Sequence, residues 1–126
     1  MTPKSAGILL VLAAVIVESF AQLSLKVGAS GRPGPAAGLL GRLAAGRRAG
    51  FPPAAWIAAG VALYVIEIVL YTLALHRLEV SVAFPLGSLC FVGVALLSRL
   101  LLAERVGTVR WLGVCCIIVG TVFTAL

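Results

Sequence analysis

Glu18, Gln22 and Lys26 stand at i, i+4 and i+8 inside the first long apolar run of this 126-residue sequence. On a helix that spacing sets them along one face, climbing about 12 Å at 1.5 Å per residue. A carboxyl group at membrane depth costs a few kcal/mol, so it normally faces a cavity or a partner. There it can load and release a proton or hold a cation, and a lysine further along the face can hold an anion. The blander readings are an interhelical hydrogen bond for Glu18 and a lysine snorkelling to the interface for Lys26. Function is the default for an intramembrane ionisable group.

A second acid, Glu67, lies in the next apolar run, with Tyr64 at i−3 and Tyr71 at i+4 on its face. That grouping suits the wall of a polar cavity, where rings pack a substrate and the carboxylate binds a cation or proton. Its alternative is a structural pair with another helix or subunit. Pro85 falls inside the third run, where its missing N–H frees a carbonyl and bends a helix. The bend serves either as a hinge for alternating access or as a fixed kink. Gly113, Cys116, Gly120 and Thr124 form a small-residue stripe in the last run. Gly113 and Gly120 suit close helix packing or dimerisation. Glu104 and Arg105 read as an interfacial charge pair.

Nothing in the sequence assembles a catalytic set. His76 is alone at a helix end, and no Ser/His/Asp or paired-carboxylate arrangement occurs. Cys90, Cys115 and Cys116 lack metal-ligand spacing and read as small apolar packing residues. There is no phosphate loop or dinucleotide fingerprint. The expectation is therefore no enzyme, no cofactor and no metal.

The elements that must carry these residues follow from composition. Hydrophobic residues make up 62% and charged ones 11%, and the mean hydropathy is +1.18. A soluble domain of this size needs more charged surface. Apolar segments run over residues 5–27, 54–75, 80–102 and 109–126. Each is near the ~20 residues that cross a hydrocarbon core. In lipid the backbone must satisfy itself, so these are helices. The expectation is a single all-α domain, an integral membrane bundle of four helices. The first run is too long for a cleaved signal peptide. Short turns join the last three helices, whereas residues 30–53 form a Gly-, Pro- and Arg-rich connection. That stretch reads equally as a basic interfacial helix or a disordered linker.

The net charge of +6 could suggest nucleic acid, but the basic residues sit between apolar runs. Membrane orientation explains them better. Arg32, Arg42, Arg47 and Arg48 follow the first helix, and Arg99, Arg105 and Arg110 flank the last turn. The positive-inside rule sends both connections to the cytoplasm and both termini outside.

Several of these stretches together resemble the drug/metabolite transporter superfamily, of the four-helix small multidrug resistance-like and EamA-like kind. They are Glu18, Gln22 and Lys26, the run from Val80 to Leu86, Leu101-Leu102-Ala103-Glu104-Arg105, and Gly113 with Gly120. Two branches are similar. In the small multidrug resistance family a first-helix glutamate, matched by Glu18, binds protons and cationic substrate within a dimer. The small subunits of the aminoarabinose-phosphoundecaprenol flippase carry Gln-x-x-x-Lys, matched by Gln22 and Lys26. They also carry a third-helix motif matched by Ala83-Phe84-Pro85-Leu86-Gly87-Ser88-Leu89. Gly87 replaces the multidrug branch's tryptophan, while Glu18 and Glu67 depart from the flippase pattern.

The resemblance implies a transporter in the bacterial inner membrane, moving a lipid-linked or amphipathic anionic substrate and working as a homo- or heterodimer, with proton coupling open. The alternatives are a proton-coupled organic-cation exporter and a non-transporting membrane subunit. Glu18 and Glu67 argue against pure scaffolding, which needs no mid-membrane carboxylates.

Overall fold

The computed structural model describes residues 2–30, 52–103 and 105–125. The connection expected over 30–53, with its interfacial-helix alternative and Arg32, Arg42, Arg47 and Arg48, lies almost wholly outside the described residues. Glu104 does too.

Among the described residues the elements are all helical: α1 Pro3–Ser30, α2 Pro53–Leu75, α3 Val80–Gly87, α4 Cys90–Leu101 and α5 Thr108–Ala125. Helix α2 opens on Pro53, whose fixed φ suits a first helical position. Three stretches, Pro3–Ala29, Pro53–Leu75 and Val80–Leu101, are long and apolar enough to cross a membrane. The last apolar helix is shorter, at 18 residues. The architecture is that of a four-helix membrane bundle, and the protein is a multi-pass membrane protein.

Helix α1 is the axis. It packs antiparallel along α2 and also against α3 and α4, whereas α5 packs chiefly against α3 and α4. Small residues permit the α1–α2 approach. A Cβ on Gly60 would meet Leu25 Cγ at 2.7 Å, and one on Gly28 would meet Ile57 Cγ1 at 2.7 Å. Ser24 adds a 2.7 Å hydrogen bond to the Trp56 carbonyl. In hydrocarbon, where apolar burial gives little drive, such close packing and interhelical hydrogen bonds do the holding. One core cluster joins Val11, Val15, Ala74, Ala83, Leu86 and Cys90. A second joins Leu23, Val27 and Leu102 near the other end. Outward faces stay apolar, with Val65, Ile68 and Val69 of α2 and Val109, Val119 and Phe123 of α5 more than half exposed. That surface fits lipid as the solvent.

The third span is two helices rather than one bent at Pro85. Pro85 lies within α3, and the break comes at Ser88 and Leu89. There the ladder tightens to i→i+3 bonds: Leu89 N–H donates to the Leu86 carbonyl at 3.1 Å, and Phe91 N–H to the Ser88 carbonyl at 3.1 Å. The Ser88 hydroxyl bonds back to the Pro85 carbonyl, a local bond that competes with the helix. Gly87, a poor helix former, weakens the same turn. Proline removes one donor near the end of α3, and the residues after it finish the interruption.

Candidate functional site

Glu18, in the middle of α1, is half-buried and faces two elements. From α4, the buried Cys90 thiol lies close enough to interact with its carboxyl group. From α2, Tyr64, Glu67 and Tyr71 all lie within its electrostatic reach. The expected shared face of Tyr64, Glu67 and Tyr71 is therefore turned toward α1, and the two mid-span carboxyl groups face one another's surroundings. Tyr71 also packs against the first core cluster. A Cβ on Gly87 would sit 3.5 Å from its ring, so the α3 break and Tyr71 are neighbours.

Gln22 and Lys26 go elsewhere. They line a groove of about 370 Å³ with Leu23, Phe91, Val94, Ala95, Ser98, Val106 and Arg110. Glu18 is not among the lining residues. The reason is helical winding: each step of four residues overshoots one turn by about 40°, so Glu18 and Lys26 differ by roughly 80°. The i, i+4, i+8 stripe is one stripe on α1, but it passes from the α2 side to the α4–α5 side. The groove is amphipathic. Gln22, Lys26, Ser98 and Arg110 supply polar and basic groups, while Phe91, Val94 and Ala95 form an apolar wall.

The other basic residues at this end are placed differently. The Arg99 guanidinium lies over the Trp111 ring, 5.6 Å from its centroid, and ties α4 to α5. Gly113 and Gly120 are exposed, with nothing within 4 Å of an added Cβ, so within one chain they pack against nothing. Pro85 sits beside the break, and its carbonyl accepts from Thr121 of α5 at 3.1 Å. Among the described residues no cluster of His, Cys, Asp or Glu could hold a metal.

Four contributors escaped the sequence reading. Cys90 was expected only to pack, and it also meets Glu18. Ser98 and Phe91 carry no charge and no motif, and only the rotation of α4 reveals them as groove lining. Ser19, next to Glu18, bonds to its own helix at Val15 (2.8 Å) and reaches the Cys90 carbonyl at 3.5 Å. A Cβ at Gly93 would run into the Ser19 side chain. A glycine one turn after Cys90 was the available signal for that close approach.

Comparison with known proteins adds the family. The sequence profile of the EamA-like transporter family matches residues 5–126. A Sinorhizobium fredii protein named "Uncharacterized protein y4nH" is 35% identical over 88 residues, covering 62% of this chain and 75% of that protein. Two further relatives are named as probable 4-amino-4-deoxy-L-arabinose-phosphoundecaprenol flippase subunit ArnE. The one from Pseudomonas savastanoi pv. phaseolicola is 32% identical over 65 residues, or 52% of this chain and 57% of that protein. The one from Aeromonas hydrophila subsp. hydrophila is 40% identical over 65 residues, with the same two shares of 52% and 57%. The match thus spans little more than half the length of these flippase subunits. No solved structure matches the chain. With the profile covering nearly every residue of a helical, lipid-faced bundle, the chain belongs to the EamA-like transporter family.

Proposed function

We propose that this protein moves a polyprenyl-phosphate-linked sugar, or a similar amphipathic anionic lipid, across the bacterial inner membrane as one subunit of a pair. The observation that carries this reading is the groove of Gln22, Lys26, Ser98 and Arg110 over Phe91, Val94 and Ala95. A phosphate needs cationic and hydrogen-bond donors, and arginine forks match its oxygens. A polyprenyl tail needs an apolar wall continuous with lipid. Both are present in one groove, and the flippase-subunit names of the relatives point the same way. The positive-inside rule puts this groove at the cytoplasmic side, with both termini outside.

Pairing fits the geometry of the last helix. Helix α5 is docked on one side only and leaves Gly113 and Gly120 open. A second four-helix subunit packed there would close a cavity that one chain leaves as a groove. The strong basic bias fixes one orientation, so a parallel pair or a heterodimer with an oppositely biased subunit serves better than an antiparallel homodimer.

A specific observation favours a second reading, proton-coupled efflux of an organic cation. Glu18 and Glu67 lie within electrostatic reach of each other and of Tyr64 and Tyr71, which suits a cation and proton more than a phosphate. One experiment separates the two. Wild-type protein and Lys26→Ala are compared for binding of polyprenyl phosphate and dephosphorylated polyprenol by native mass spectrometry. Preference for the phosphorylated lipid, lost in the variant, supports the flippase reading. No preference in the wild type, or an undiminished one in Lys26→Ala, sinks it in favour of cation efflux.

A further inference from the structure

At the opposite end of α1, roughly 20 Å from Gln22 and Lys26 by helical rise, lies a second groove of about 490 Å³. Ala6, Leu9, Leu10, Leu73, His76 and Arg77 line it. It repeats the chemistry of the first groove in a different part of the sequence. Leu9, Leu10 and Leu73 make an apolar wall running into the span, and His76 and Arg77 stand exposed at its mouth, where α2 ends. No acidic residue lines it. Neither His76 nor Arg77 has an ion pair or side-chain hydrogen bond among the described residues.

Backbone dipoles do not set the sign of this site. The C-terminus of α2 and the first turn of α1 meet there, and antiparallel helix ends carry opposite partial charges. The terminal Ala74 carbonyl is occupied by the Arg77 N–H at 2.9 Å and the Leu78 N–H at 3.0 Å. The side chains therefore decide: Arg77 brings a fixed positive charge, and His76 stands beside it with hydrogen-bonding capacity. Topology alone does not ask for them, because the positive-inside rule places the basic excess at the other end.

We infer that the His76–Arg77 groove is a second lipid-phosphate site, holding the phosphate of a polyprenyl phosphate at the face opposite the Lys26–Arg110 groove. This rests on the transport reading above and deepens it. A flipped lipid must be received in the second leaflet with its charge outward and its tail in hydrocarbon. The groove offers Arg77 and His76 to the phosphate, and Leu9, Leu10 and Leu73 to the first isoprene units. The two grooves then serve one leaflet each, at opposite ends of α1.

The test counts lipids per protomer by native mass spectrometry, using polyprenyl phosphate, polyprenol and phosphatidylglycerol. The proteins are wild type, His76→Gln with Arg77→Gln, and Lys26→Ala. The expected result is two polyprenyl phosphates on the wild type and one on each variant. The lost site should weaken by roughly tenfold to a hundredfold, as when a charge-assisted contact is removed. Polyprenol and phosphatidylglycerol should not fill the second site. The phosphate retained by each variant certifies its fold. Two lipids on the His76/Arg77 variant overturn the inference, as does equal filling by phosphatidylglycerol. A single wild-type lipid lost only with Lys26→Ala also overturns it, while leaving the transport reading intact. A single lipid lost only with the His76/Arg77 change keeps the second site and removes the first. No phosphate-lipid binding anywhere removes both.

Discussion

The hydroxyl of Thr121 donates a 3.1 Å hydrogen bond to the carbonyl of Pro85, across from α5 to the broken third span. The Leu89 N–H, its ordinary helical partner, bonds the Leu86 carbonyl instead, and the Pro85 carbonyl also accepts from the Ser88 N–H at 3.2 Å and from the Ser88 hydroxyl. Thr121 thus joins the last helix to the turn at which the third span breaks. Thr121 is buried, and its one hydroxyl proton is shared with the Ile117 carbonyl of its own helix, 2.8 Å away.

Thr121→Val keeps the side-chain volume and removes the donor. Interhelical hydrogen bonds in membranes average about 0.6 kcal/mol. The variant should lose roughly that much stability, read as an earlier unfolding midpoint in detergent. Thr124→Val is the control, since Thr124 bonds only within α5, at Gly120 and Thr121, and it should leave the midpoint unchanged.

The spans were legible in the sequence because lipid demands long apolar helices, and composition alone reveals those. The interruption near Pro85 was also legible, though its location was not. Proline marks one missing donor, whereas the break at Ser88 and Leu89 depends on how the next carbonyls are shared. Within the candidate site, spacing singled out residues on α1 and α2 that the structure places in two different settings. It could not say that Glu18 would face Cys90 while Lys26 faced Arg110. That division depends on the drift of an i+4 stripe around α1 and on which helices stand beside it. The Ser19–Gly93 contact and both grooves are likewise products of helix rotation, which no local pattern encodes.

Ala103 occupies the left-handed region at φ 53, just after α4 ends at Leu101. An L-residue there costs about 1 kcal/mol, and glycine costs nothing sterically. Glycine also frees the unfolded chain, which offsets part of the gain. Ala103→Gly should therefore raise stability by roughly 0.5 kcal/mol, while Ala103→Val, β-branched at positive φ, should lower it. Thermal unfolding midpoints of the two variants should move in opposite directions, and a shared direction would refute the assignment.

Glycines in α4 and α5 should behave oppositely. Gly93 is pressed against Ser19, so Gly93→Ala forces α1 and α4 apart at a cost of about 1–3 kcal/mol. Gly113 and Gly120 meet nothing within 4 Å. Gly113→Leu with Gly120→Leu should leave the protomer's unfolding midpoint unchanged but reduce pairing, measured by energy transfer between labelled subunits in liposomes. Unimpaired pairing would show that the partner docks elsewhere.

The last expectation concerns Glu18 and the thiol that meets it. Cys90 is the first residue of α4, directly after the break, and its side chain reaches Glu18 on α1. Under the proposed proton-coupled reading, a proton taken up at Glu18 would neutralise the carboxyl group beside the Cys90 thiol, at the junction where the third span divides. Glu18→Gln keeps the size and fixes the neutral state. It should insert and fold normally, while transport in proteoliposomes loses its pH dependence and falls by about tenfold or more, the scale of losing a charge-assisted contact. Cys90→Ala removes the thiol and leaves the carboxyl group ionisable. It should retain transport but shift the pH at which activity is half-maximal. If Cys90→Ala lowers the rate without moving the profile, the thiol only packs. If Glu18→Gln keeps both rate and profile, the carboxylate belongs to the scaffold, and the proton has to be sought at Glu67.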